Sequence, residues 1–87
     1  MFAKFSAELQ KSPDKGGWTY VVWPHAAKFF GTNGAVKVTG RIDGEPFTSS
    51  FMAMGNGVQM LPVKASLRKA IQKEVGDIVA VELDKQL

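Results

Sequence analysis

The residue pair Asp43-Gly44 constrains this chain more than any other feature, because it sits between two alternating runs. Such a pair favours left-handed backbone at both central positions of a two-residue loop. The flanking runs, Ala35 to Ile42 and Glu45 to Met54, are therefore predicted to form an antiparallel hairpin with a type I′ turn. A two-residue loop also fixes the register: Ile42 opposes Glu45, Gly40 opposes Phe47, Val38 opposes Ser49 and Val36 opposes Phe51. One face is then mostly apolar, with the Phe47 ring free to lie over the bare backbone of Gly40. The other face carries Lys37, Thr39 and Arg41 against Ser50, Thr48 and Pro46, so it meets solvent or a partner.

A second organised stretch runs from Met60 to Leu83. Leu67, Ala70, Ile71 and Val75 fall at offsets of three, four and eight, which makes one helical stripe apolar and predicts a short helix over residues 64–75. Gly76 is placed to end it in a left-handed conformation. Beyond Asp77, Val79, Val81 and Leu83 alternate with Ala80 and Glu82, giving a strand with one buried face.

The N-terminal half follows the same logic. Ala3, Phe5, Ala7 and Leu9 alternate with polar residues as a first strand, and Lys11 to Gly17 reads as a loop. Trp18 to Val22 forms a second strand, whose lack of polar alternation predicts cover on both sides. Pro24 suits a first helical position, His25 to Phe30 form a helical turn stopped by Gly31, and Thr32-Asn33-Gly34 turn the chain. Gly55-Asn56-Gly57 make another turn, and Val58 to Leu61 a strand leading to the helix. Six short strands and one real helix leave too little helix to cover a parallel sheet, so the fold class is mainly β, a closed or partly split small barrel. The 87 residues make one domain.

Composition narrows the function classes. There is no cysteine, so no disulfide framework, thiolate metal site or cysteine nucleophile is available. No apolar run reaches the length of about 18 residues that suggests a membrane helix. The alternating N-terminus also does not resemble a signal-peptide core, so the expected setting is cytoplasmic, with no membrane partner. Eleven Lys and Arg against eight Asp and Glu give a net charge of +3. Only Arg41 and Arg68 are arginines, a mild lysine-rich excess that ordinary solvation explains.

No catalytic constellation is legible. His25 is the only histidine, and neither a general-base pair nor a zinc set can be assembled from it in sequence. Asp43 with Glu45, and Asp77 with Glu82 and Asp84, lie in turns and on outer strand faces. Gly31 to Gly34 and Gly55 to Gly57 lack phosphate-cradling spacing, and Ser49, Ser50 and Ser66 lack a nucleophile elbow. No cofactor is expected. The aromatic concentration of Trp18, Tyr20, Trp23, Phe29 and Phe30 is explained first by core packing.

The order of Phe5-x-Ala-x-Leu9, Trp18-Thr-Tyr-Val-Val-Trp-Pro24, Gly40-Arg-Ile-Asp-Gly44-x-x-Phe47, Leu61-Pro62, Leu67-Arg-Lys-Ala-Ile71 and Gly76-Asp77-x-Val79-x-Val81 resembles a bacterial and archaeal family of small domains of unknown function. Its members are hypothetical proteins, sometimes fused to a bacteriocin-protection-like domain. The resemblance covers nearly the whole chain and implies a double-split β-barrel, with no activity, cofactor or catalytic residue to carry over. The segment Leu61-Pro62, Leu67-Arg68 and Gly76-Asp77-Ile78-Val79 also looks like the strand, helix, Gly-Asp, strand unit of swapped-hairpin transition-state regulators and antitoxins. That likeness implies a DNA-binding homodimer, although the arginine-rich strands of that class are absent.

Three functions are therefore weighed. The first is a binding or accessory module, homo-oligomeric through an outward face bearing Met52 and Met54. The second is a nucleic-acid binder using Lys37, Arg41, Arg68 and Lys69. The third is a small-molecule site among the aromatics, with Trp23, His25 and Phe29 on the candidate surface. The first stands ahead of the others, and the biochemical function itself is unknown.

Overall fold

Both central residues of the hairpin loop are left-handed, Asp43 at φ 48° and Gly44 at φ 86°, as a type I′ turn requires. The computed structural model describes residues 2–13, 18–32, 34–55 and 58–87, apart from the side chains of Met54 and Gly55. In it, β4 (Val36–Ile42) and β5 (Glu45–Gly55) pair in the register read from the sequence, from Ile42 opposite Glu45 to Val36 opposite Phe51. Val36, Val38, Ile42 and Phe51 are buried on the inner face. Gly40 serves a second neighbour besides Phe47. The adjoining strand shifts register between Thr39 and Gly40, and a Cβ at Gly40 would run into the Glu82 carbonyl and stand 3.1 Å from the Leu83 Cα.

The remaining strands are β1 (Ala3–Glu8), β2 (Gln10–Lys11), β3 (Thr19–Trp23), β6 (Val58–Pro62) and β7 (Ile78–Gln86). They join in the order β1-β7-β4-β5-β6-β3-β2, antiparallel throughout. Two corners curl this sheet into a nearly closed barrel. One is β5, which pairs with β4 as far as Phe51 and with β6 from Met52 onward. The other is Leu9, fully buried, whose N–H donates to Asp77 O at 2.8 Å and whose carbonyl accepts from Gly76 N at 2.9 Å.

Leu9 is also where the strand count departs from the sequence reading, with seven strands in place of six. Residues up to Glu8 pair with β7, whereas Gln10 and Lys11 pair with Tyr20 and Thr19. The alternation continues through Gln10, but the strand itself is cut at Leu9 by a bend that closes the barrel. β3 is covered on both sides as expected, with Thr19, Tyr20, Val21 and Trp23 buried, but Trp18 precedes the strand and is 52% exposed.

Two short helices sit at the barrel ends. α1 (Ala26–Phe30) matches the helical turn read at residues 25–30 and stops at Gly31, φ 71°. Pro24 lies ahead of its N-cap, His25, instead of opening the helix. α2 (Ala65–Ile71) is shorter than the predicted 64–75: Gln72 at φ 57° is its left-handed C-cap. The Asp77 carboxylate accepts from Glu74 N at 2.9 Å while Asp77 N donates to Glu74 O at 2.9 Å, an alternative that draws the backbone out of the helix. Gly76 is left-handed, φ 98°, but serves the turn into β7. Val75 consequently leaves the apolar stripe and is 50% exposed, while Leu67 and Ile71 pack on the core.

The core divides into a ring-rich end and an aliphatic remainder of valines, leucines and Ile42. At the ring-rich end Trp23 stacks on Phe5 with centroids 4.9 Å apart and planes at 5°. Phe30 and Phe51 close around it at 5.9 and 5.8 Å. Gln59, 1% exposed, ties the chain after α1 to β6 by donating from Nε2 to Thr32 O at 3.1 Å and Gly34 O at 3.2 Å. Asn33, the Asp14 to Gly17 part of the first loop, and Asn56 and Gly57 of the second glycine turn lie outside the described residues. No described helix is long and apolar enough to cross a membrane.

Candidate ligand cleft

At the opposite end from the rings, α2 does not lie flush on the barrel. Between its first turn, the 74–75 turn, the middle of β5 and the end of β6 lies an open cleft of ≈ 660 Å³. Its position follows from local chemistry. Pro62 ends β6 and Val63 N donates to Thr19 O at 2.9 Å, which anchors the start of the link to α2 against β3. Ser49 on β5 donates from Oγ to Pro62 O at 3.2 Å, setting a polar seam in the cleft wall.

The apolar walls are Trp18, Met52, Val63 and Val75, two of them half exposed. Lys11, Lys64 and Arg68 supply positive charge, and Glu74 is the one acidic residue among the described residues lining the cleft. Arg68 is held in by α2, whose first turn closes with Arg68 N donating to Lys64 O at 3.0 Å. Its side chain is 19% exposed and its Nη1 donates to Glu74 Oε1 at 3.0 Å, whereas the Glu74 side chain is 75% exposed. The Arg68 Nε is buried without an acceptor among the described residues.

The cations named from the sequence are not gathered into one patch. Arg41 lines a different cleft from Arg68 and forks onto Asp84, Nε to Oδ2 at 3.1 Å and Nη2 to Oδ1 at 2.9 Å, with Glu82 3.6 Å away. The fork raises the Arg41 pKa further and holds the Asp84 carboxyl below its usual range. Lys4 and Arg41 both oppose Glu82 across the sheet, a face of mixed sign. Lys37 is exposed on β4 and Lys69 on α2.

Of the candidates for the ligand surface, Trp23 and Phe29 do meet, with ring centroids 5.2 Å apart. Trp23 is 9% exposed and packed among rings inside the core. Phe29 is exposed but stacks on Phe2 at 5.6 Å, and His25 is an exposed N-cap whose side chain makes no capping bond. Met52 lines the cleft, and the Met54 side chain lies outside the described residues. No group of three or more His, Asp or Glu able to hold a metal occurs among the described residues.

Sequence reasoning did not single out Trp18 or Glu74 for this site. Trp18 follows a glycine pair and opens an aromatic run, so nothing local distinguishes it from Trp23. Glu74 meets Arg68 only because the helix ends early.

The family model for a domain of unknown function, DUF1905, matches residues 5–83. The chain belongs to this family. The DUF1905 match spans both barrel corners, α2 and every residue named in the cleft, so the site lies within the shared domain. The description assigns DUF1905 no activity, and no curated protein matches the chain.

Proposed function

We propose that this DUF1905 domain is a non-catalytic binding module whose working surface is the cleft beside α2, and that it takes a small organic molecule there. The observation that carries this reading is a concavity of ≈ 660 Å³ in which half-exposed Trp18 and Val75 face a mostly buried guanidinium. Ligand sites commonly occupy about 300–1,000 Å³, with apolar walls and a few fixed polar groups. The cleft has those proportions. Its serines have no histidine beside them, since His25 is at the α1 N-cap and not among the lining residues. Binding therefore explains the site with fewer parts than catalysis does.

Ligand-observed NMR with a fragment library tests this on the wild type and on Ala65→Trp, which fills the cleft from an exposed position on α2. The reading expects fragment signals in the wild type that the variant loses while its melting transition is retained. Fragments that bind both proteins alike, or none at all, would contradict it.

A further inference from the structure

Resting on that reading, we infer that the ligand of the cleft carries a carboxylate, which replaces Glu74 on Arg68, and that its apolar body lies against Trp18, Met52 and Val75. The two arginines supply the comparison. Arg41, with its side chain 41% exposed, is met by both oxygens of Asp84. Arg68, less than half as exposed, receives one oxygen from a carboxylate that stands mostly in solvent.

A guanidinium offers five donors in a planar fork suited to a bidentate carboxylate. Glu74 meets Arg68 with a single oxygen on Nη1, so among the described residues the Nη1/Nη2 edge of the fork lacks the second oxygen that Arg41 receives on its own fork. A second oxygen on Nη2 would complete an end-on fork on a guanidinium that is mostly out of water, where a charge-assisted pair gains more than on a solvated arginine. Glu74 is held weakly enough to yield. Its backbone is fixed by the Asp77 carboxylate, but among the described residues its side chain is bound only to Arg68, and it opens to water. Glu74 thus stands where the ligand's head group would bind and competes with it.

Charge and shape agree with such an occupant. Among the described residues, three cations and one displaceable anion line the cleft, so an anionic head is favoured by the field. The Trp18 ring offers a flat surface to an aromatic or broad aliphatic body. A neutral ligand would use the walls and leave the guanidinium as it stands.

The test uses 2-naphthoate and its neutral isostere 2-naphthamide, titrated by ¹H–¹⁵N NMR into the wild type and into Glu74→Ala, whose exposed site makes a folding failure improbable and whose melting curve confirms it. Naphthoate is expected to shift cleft resonances and bind about tenfold tighter than the amide, the difference made by a charge-assisted fork. Glu74→Ala should tighten naphthoate several-fold and leave the amide unchanged. If both compounds bind the cleft equally, or if Glu74→Ala leaves naphthoate unimproved, the carboxylate inference is overturned while the cleft remains a ligand site. If neither shifts cleft resonances, the carboxylate inference is overturned, and if the fragment library also finds no binder there, the binding reading falls with it.

Discussion

Trp18 and Trp23 flank the same strand and end in opposite environments, 52% against 9% exposed. At the Trp23 end, α1 brings Phe30 against the rings of Trp23 and Phe51, Phe5 stacks on Trp23, and these four aromatic side chains fill the space from within. At the Trp18 end, α2 brings Arg68, and the turn that follows adds Glu74 and Val75. Both helices are too short to be stable alone, so each is held by what it packs on. The difference lies in what they deliver. Rings satisfy one another by contact, whereas a guanidinium with one carboxylate cannot fill apolar space, and that end stays concave.

Breaking the ring-rich end should have the largest effect. Trp23→Ala is expected to cost about 3–5 kcal/mol in urea unfolding, the usual loss for an aromatic removed from a packed core. Trp18→Ala should change stability by at most about 0.5 kcal/mol, as for other surface sites, while abolishing binding in the cleft. Equal losses would erase the contrast. The barrel wall shared by both ends is probed by Gly40→Ala. Its Cβ meets β7 backbone that cannot rotate aside, so a loss on the order of 3 kcal/mol is expected.

Smaller effects sharpen the comparison. Gln59→Leu removes the donor to two carbonyls after α1 and should cost about 1–2 kcal/mol, more than Ser49→Ala at the cleft, where one bond to Pro62 O is lost. The smallest effect belongs to the exposed Arg41–Asp84 pair, which serves neither end. Because the Asp84 pKa is depressed in the folded chain, its contribution is present above its unfolded value and disappears as pH falls through the folded one. The melting difference between wild type and Asp84→Asn should therefore shrink on acidification and in high salt.

The hairpin was legible because Asp43-Gly44 carries its own geometry, and the register followed from loop length alone. The buried faces of β4 and β7 were legible for the same local reason, alternation against a single core. The corner at Leu9 was not, since the alternation runs through it and the bend is held by Gly76 and Asp77, far along the chain. The end of α2 was hidden in a similar way. A helical stripe through Val75 is intact in the sequence, and it fails because the Asp77 side chain captures a backbone N–H. Arg68 reads as one more surface cation until the shortened helix turns Glu74 toward it, six residues away and outside helical spacing. The cleft is thus a product of two chain reversals that leave little mark on local pattern.

The most direct test follows the two indole N–H signals during a titration with 2-naphthoate. A saturable shift of the Trp18 indole with Trp23 unmoved is the predicted result, since one ring lines the open cleft and the other is sealed among neighbours. Movement of Trp23 alone, or of neither indole up to the solubility of the ligand, would contradict the division of the barrel into a closed end and a binding end.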